Sequence, residues 1–168
     1  ALLRQRIERL REMVTAIEYL LEAQTMGISL SPEEKFEVFG DFDPDAYEQE
    51  ARERWGDGDA YRESARRVAG YTKDDWRRIQ REWADLMRRF VEAFETGVPA
   101  TSQQAMDLAE EHRALITEHF YECTYDIHAG LAEMYLADDR FRAHYDDQRP
   151  GLAQYVHDAI EANAVSRA

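Results

Sequence analysis

The residues best suited to chemistry are His112, His119 and Cys123, which are separated by seven and then four positions. In a continuous helix this spacing places all three on one face, and imidazole nitrogen and thiolate sulfur are ligands that Zn²⁺ prefers. Three ligands strung along one straight helix do not close a tetrahedron around a single ion. We therefore expect packed or solvated histidines here, and no metal site.

Other catalytic arrangements are missing or weak. The chain contains no glycine-rich phosphate loop and no G-x-S-x-G elbow. A Glu-x-x-His pattern of the di-iron type fails for all five histidines, since they follow Ala109, Ile116, Tyr125, Phe141 and Gln154 by three positions. Cys123 has His119 four residues earlier as a candidate base, but a buried, inert thiol is the default interpretation. We predict a protein that is not an enzyme and needs no cofactor.

The charge of the chain limits the kinds of molecule that it could bind. The formal net charge is −14, and Arg and Glu cancel within residues 1–25, so the excess lies in residues 26–168. Phosphate backbones and anionic membrane surfaces would repel such a domain, so we expect a neutral or basic small molecule, or another protein. There is no run of about 18 apolar residues that could span a membrane, and the first residues given lack the basic start and apolar core of a signal peptide. The lone Cys123 favours the cytoplasm.

An apolar heptad occupies residues 1–25, before the break at Met26-Gly27. Its spacing of four and three residues is typical of paired helices, and we predict a dimerisation helix. The alternatives are a helical hairpin and an amphipathic helix lying on its own domain. The seam consists of Leu3, Ile7, Leu10, Val14, Ile17 and Leu21.

Beyond Gly27 the pattern predicts helices only, because no stretch alternates with period two for long enough to form a strand. N-capping residues and prolines predict the helix starts. The expected starts are Ser31-Pro32, Asp43-Pro44, Thr72 and Ser102, and the expected breaks are near Trp55, Ala69, Gly97-Val98-Pro99, Asp138-Asp139 and Arg149-Pro150-Gly151, before a last helix through Ala164. Residues 121–137 continue in helical rhythm after a bend. The fold class is all-α.

Two parts of this helical region differ in composition. Residues 32–69 contain no Leu or Ile, and short helices with so little aliphatic surface are marginal alone. We therefore expect residues 26–70 to be a mobile lid and residues 71–168 to be a stable core. Aromatic rings are nevertheless concentrated at two places, the lid and residues 120–135. Core packing explains the second group, whereas the first suggests that a bound molecule completes the burial of its rings.

Several blocks of sequence carry a family resemblance. The stretch MGISLSPEEKFEVFGDFDPD is followed by RERWG, DAYR and YTKDDWRRIQ, and later by AMDLAEEHR, YECTYDIHAGLAEMYLADDRF and PGLAQYVHDAIEANAV. Across residues 26–168 the chain resembles the drug-recognition domain of TipA-type (thiostrepton-induced) MerR-family regulators. The resemblance implies a globin-like domain without haem or enzymatic activity, whose N-terminal helices fold over a thiopeptide-like antibiotic. Met26 matches the internal start of the family's short form.

The same resemblance implies roles for the heptad and for Cys123. The heptad corresponds to the helix that joins a winged-helix DNA reader, which lies outside this chain, to the effector domain of a homodimer. The family's thiostrepton-binding pattern has two cysteines seven residues apart, of which the second is alkylated by dehydroamino acids of the drug. Cys123 matches the first, and Gly130 occupies the second position. We therefore expect reversible binding.

The resulting hypothesis is a ligand-sensing effector domain of a transcriptional activator in the cytoplasm. Its alternatives are a stand-alone drug-sequestering resistance protein, a haem or metal protein using His112, His119, Cys123 or His128, and a structural dimerisation module. The predicted ligand-binding residues are Phe39, Trp55 and Tyr61 in the lid, and His112, Tyr121, Cys123, Tyr125, His128 and Met134 in the cleft wall.

Overall fold

The computed structural model describes residues 5–7, 9–11, 13–14, 28–40 and 42–168, and these are helices and connecting turns without a strand. No helix in this described part is both long and apolar enough to cross a membrane. The helices with defined bounds are α1 (Pro32–Phe39), α2 (Pro44–Trp55), α3 (Asp59–Val68), α4 (Lys73–Glu95), α5 (Gln103–His119), α6 (Tyr125–Ala137), α7 (Asp139–Asp146) and α8 (Leu152–Arg167). The prediction of an all-α fold is confirmed.

The heptad is described only in part. Leu3, Ile17, Leu21 and Met26 lie outside the described residues. Ile7, Leu10 and Val14 are helical and expose 49, 57 and 53 % of their surface. Dimerisation through this seam therefore stays a prediction.

Local capping chemistry sets the helix starts that the sequence predicted. Ser31 forms a capping box, in which its hydroxyl accepts from the Glu34 backbone N–H at 3.1 Å and the Glu34 carboxylate accepts from the Ser31 N–H at 3.0 Å. Asp43 caps α2 by accepting from the Asp45 N–H at 3.0 Å, and Pro44 follows at the first helical position. Gly97 ends the turn after α4 with a φ of +75°, which favours glycine.

Three predictions about the C-terminal half need correction. The helix that carries His112 ends at His119, so Cys123 does not share its face. The chain breaks there because Thr124 caps α6 and the Thr117 hydroxyl accepts from the Cys123 N–H at 3.1 Å. The two residues Asp138-Asp139 mark more than a turn, since the Asp138 side chain caps the additional helix α7. The last helix continues past Ala164 to Arg167.

The chain divides into two compact units at Trp76/Arg77, inside α4. In the first unit, Phe39 packs edge-on against Trp76 with ring centroids 5.5 Å apart, and α1 contains no buried residue. Phe36, Phe42 and Trp55 expose 66, 56 and 42 % of their surface. These three side chains are thus only partly covered.

The second unit has a continuous apolar core. Phe90 of α4 is completely buried, and it belongs to one cluster with Leu152, Val156 and Ile160 of α8. The inner face of α5 contributes Leu108 and Ala109, and α6 contributes Ala132. This core holds the polar side chains described next.

Candidate ligand-binding site

Two buried histidines face each other between α5 and α6. His112 Nδ1 lies 2.8 Å from His128 Nε2, and the two rings are nearly parallel with centroids 5.1 Å apart. The exposed fractions of the two residues are 1 and 0 %. His112 lies on the same inner face of α5 as Leu108 and Ile116, four positions to either side, which explains its burial.

Aromatic side chains surround the pair. The Trp83 ring meets the His112 ring edge-on at 4.8 Å, and Tyr135 meets it in the same way at 6.0 Å. Tyr135 in turn packs against Phe141 and Tyr145 at 6.1 and 5.2 Å. Two polar imidazoles are therefore enclosed by flat rings that could stack on a heteroaromatic ligand.

Burial keeps both histidines uncharged. It lowers the pKa of His112 to about 3, with the neighbouring His128 adding to the effect. Burial also lowers the pKa of His128 to about 4, assisted by the Arg113 charge and opposed by that of Glu110. At neutral pH one ring must donate its N–H to the other.

This arrangement leaves two buried nitrogen atoms, His112 Nε2 and His128 Nδ1, without a partner among the residues that the structure describes. If His112 donates to His128, then His112 Nε2 is a free acceptor and His128 Nδ1–H is a free donor. If His128 donates, the two roles are exchanged. In either tautomer the pair offers one unsatisfied donor and one unsatisfied acceptor.

A charged network lies beside the pair. The Glu110 carboxylate accepts from Arg113, from the Tyr125 hydroxyl at 3.2 Å and from the Asn163 amide at 2.8 Å. The hydrogen bonds from Arg113 and then Asn163 lower the pKa of Glu110 to about 2, although burial opposes them. Arg113 also donates to the Cys123 carbonyl at 2.7 Å and lies 4.4 Å from the Tyr125 ring centroid.

Cys123 is an inert thiol in this setting. It is fully buried, and burial raises its pKa to about 11, an effect that Arg113 opposes. Its sulfur lies 3.8 Å from the Thr124 carbonyl, whereas His119 Nε2 lies 2.6 Å from Glu82 Oε2. A histidine-activated cysteine nucleophile is thus not assembled, because the thiolate forms only far above neutral pH.

The structure brings some predicted site residues together and leaves others apart. His112 and His128 contact each other, and Cys123 and Tyr125 both contact Arg113, whose charge acts on His128. Tyr121 and Met134 are half-buried in the same unit. The three predicted lid residues lie in the first unit, where Phe39 contacts Trp76, Trp55 lies under the Arg54 guanidinium, and the Tyr61 hydroxyl accepts from Arg52 at 3.4 Å.

Sequence reasoning missed several residues of this cluster. Glu110 and Arg113, three positions apart on α5, form an ion pair that their spacing could have indicated. Trp83, Tyr135 and Asn163 come from other helices, so no local pattern marks them.

An open depression of about 550 Å³ lies elsewhere in the second unit, between α4 and α5. The bidentate ion pair between Arg89 and Glu111 belongs to its wall. It is lined by Arg89, Glu92, Ala93, Thr96, Gln104, Asp107, Leu108 and Glu111. Its walls carry mainly charged and polar groups, so it is the poorer candidate for an aromatic ligand.

Two solved structures are similar to this chain. TipAS from Streptomyces lividans, solved in complex with nosiheptide as part of a thiopeptide antibiotic multidrug resistance system, is 57 % identical with a TM-score of 0.77. The similarity covers 84 % of this chain and 99 % of that one. The antibiotic-binding domain of a TipA-class multidrug resistance transcriptional regulator is 49 % identical with a TM-score of 0.52, covering 55 % of this chain and 99 % of that one.

Curated relatives agree with the structural similarity. The HTH-type transcriptional activator TipA of Streptomyces coelicolor is 56 % identical over 164 residues, covering 98 % of this chain and 65 % of the relative. The activator mta of Bacillus subtilis is 29 % identical, covering 95 % of this chain and 62 % of the relative. This chain thus spans less than two thirds of the length of these regulators.

The helices and the aromatic rings around His112 and His128 define an all-helical domain with a buried polar pair. The model of the TipAS antibiotic-recognition domain matches residues 47–163. The chain belongs to the TipAS antibiotic-recognition domain family. The family resemblance inferred from the sequence is thereby confirmed.

Proposed function

We propose that this chain is the ligand-sensing part of a MerR-type transcriptional activator, and that it reversibly binds thiopeptide-like or other bulky heteroaromatic antibiotics. The observation that carries this proposal is the neutral His112–His128 pair, which is enclosed by aromatic rings and has two unpartnered nitrogens. The relatives named as activators and the nosiheptide complex of TipAS support it.

The unsatisfied nitrogen atoms of His112 and His128 can contribute to the binding energy of a ligand. A buried polar group without a partner costs about 1–3 kcal/mol, so an amide or heterocycle that reached these positions would regain that energy. Tautomer exchange lets each position donate or accept without moving the rings. The pair can thus match ligands of different polarity.

The first unit supplies a second part of the proposal. We propose that residues 32–69 become ordered when a ligand completes the burial of their exposed rings, including Phe36, Phe42 and Trp55. Amide hydrogen exchange tests this, because residues 32–69 should be poorly protected in the free protein and become protected with nosiheptide. Uniform protection in the free protein would contradict it.

We further propose that the heptad from Leu3 to Leu21 forms a homodimer and transmits ligand binding to a winged-helix DNA reader outside this chain. Such a regulator would act in the cytoplasm, where the DNA is, and would catalyse no reaction. Binding would be non-covalent, because Cys123 is buried with a raised pKa and because Gly130 occupies the position of the family's reactive cysteine.

Calorimetric titration with nosiheptide tests the histidine pair directly. His112→Gln and His128→Gln should each weaken binding about 2- to 10-fold, since each change removes a hydrogen bond worth about 0.5–1.5 kcal/mol. His144→Gln, at an exposed histidine of α7, is the matched control and should bind like the wild type. Circular dichroism verifies that each variant is folded, and wild-type affinity in both test variants would refute the assignment.

A further inference from the structure

A group of metal-ligating side chains lies apart from the histidine pair, between α6 and α8 of the second unit. It comprises Glu133 of α6 together with His157 and Glu161 of α8. We propose that these three residues bind one divalent transition-metal cation of the Zn²⁺ class, which clamps α6 to α8. This site is independent of the antibiotic-binding function proposed above.

The geometry of the group suits a small cation. Its ligand atoms all lie within 4.8 Å of one another, and His157 Nε2 lies 3.0 Å from Glu133 Oε1. Ligand atoms of a tetrahedral Zn²⁺ site are about 3.4 Å apart, because each bond is about 2.1 Å long. The glutamate side chains therefore need to shift by only about an ångström, and His157 and Glu161 share a helix face through their four-residue spacing.

An additional carboxylate orients the imidazole. Asp158 Oδ1 lies 2.9 Å from His157 Nδ1, and the Gln154 amide donates to the same oxygen at 2.8 Å. Metal-binding histidines commonly donate their second ring N–H to a carboxylate in this way, which fixes the ring and directs the other nitrogen at the ion. Asp158 is thus a positioning residue and not a ligand.

The local charge also favours a cation. The carboxylates of Glu133, Asp158 and Glu161 surround one imidazole, and among the described residues none of the three pairs with Lys or Arg. Glu161 makes no hydrogen bond or ion pair with any residue that the structure describes.

The ligand set selects among cations. One imidazole with two carboxylates suits Zn²⁺, Co²⁺ or Ni²⁺, whereas Mg²⁺ and Ca²⁺ prefer oxygen ligands in larger number. Glu82, Glu118 and His119 form another cluster with ligand atoms within 4.8 Å, but there the two α5 residues are adjacent in sequence and do not share a helix face. The test must distinguish the two clusters.

The experiment uses the whole chain, stripped with EDTA and titrated with Zn²⁺ in a calorimeter, without antibiotic. We expect one saturable site per chain, a rise in Tm with Zn²⁺ but not with equal Mg²⁺, and visible d–d absorption with Co²⁺. His157→Gln and Glu161→Gln should abolish these signals. Asp158→Asn should weaken binding about 10- to 100-fold, as loss of an outer carboxylate does at metal sites.

His119→Gln and His144→Gln are the controls and should retain the wild-type affinity and stoichiometry. Absence of saturable binding at millimolar Zn²⁺ would overturn the proposal. It would also be overturned if His157→Gln bound Zn²⁺ like the wild type, or if His119→Gln removed the site. Because no antibiotic is present, none of these outcomes depends on the proposed function.

Discussion

The neutral state of the histidine pair predicts how stability depends on pH. His112 and His128 have pKa values lowered to about 3 and about 4 in the folded protein, from the ordinary value of 6.5. Below pH 6.5 the unfolded chain therefore binds protons that the folded chain does not. Stability is fully present above pH 6.5 and is lost as the pH falls toward the folded values.

The magnitude follows from linkage. Each histidine contributes about 1.4 kcal/mol per pH unit once the unfolded form is protonated. Between pH 6.5 and 4.5 the two together should lower the free energy of unfolding by roughly 4 kcal/mol, a large part of the 5–15 kcal/mol typical of domains. His157, whose pKa is raised, gives stability that is already complete below pH 6.5. Glu110, whose pKa is lowered, loses its contribution only below about pH 4.5, so the window is clear of both.

The assay is urea denaturation, followed by tryptophan fluorescence and far-ultraviolet circular dichroism, in steps from pH 7.5 to pH 4.5. The wild type and His144→Gln should show the decline, and the double variant His112→Gln/His128→Gln should show it only weakly. If the double variant does not fold, NMR titration of the wild-type imidazoles replaces it, and both rings should stay neutral at pH 5. A free energy of unfolding that is flat between pH 6.5 and 4.5 would refute the reasoning, as would rings that titrate near 6.5.

Three further changes test the core, the charged network and the reversible binding. Phe90→Ala should lower the free energy of unfolding in urea by about 3–5 kcal/mol, because it empties a fully buried site. Val165→Ala, at an exposed position, should lower it by less than about 0.5 kcal/mol. Equal effects of the two changes would contradict the core assignment. Glu110→Gln should lower the free energy of unfolding by about 1–3 kcal/mol, because it weakens the hydrogen bonds of Glu110 to charged and polar partners. Glu122→Gln, at an exposed position, is the control and should leave the free energy of unfolding unchanged. Gly130→Cys places a thiol on an exposed turn of α6, where an added Cβ meets no heavy atom within 4 Å outside its own helix backbone. Mass spectrometry of this variant should find a nosiheptide adduct that survives denaturation. An adduct in the wild type would contradict reversible binding.

Features set by neighbours in sequence were predictable here. The capping residues Ser31 and Asp43 act within three residues of themselves, so the starts of α1 and α2 could be placed from the sequence alone. The same kind of signal was overlooked at Thr124 and Asp138. As a result, Cys123 was wrongly assigned to the helix of His112, and α7 was missed.

Contacts between residues that are distant in sequence could not be predicted from the sequence. His112 and His128 were both selected as ligand-binding residues, but their direct pairing depends on how α5 and α6 pack. The same holds for the contact of Glu133 with His157, since these residues lie on different helices, α6 and α8. The difference arises because packing across the core is determined by the whole chain and not by any local pattern.

The central claim is that an antibiotic is recognised at the His112–His128 pair. The most direct measurement is long-range ¹H–¹⁵N NMR of the histidine rings before and after saturation with nosiheptide. We predict that the His112 Nε2 and His128 Nδ1 signals shift as these nitrogens gain partners, while those of the exposed His144 do not. Unchanged signals from both buried rings in a protein fully bound to nosiheptide would contradict the claim.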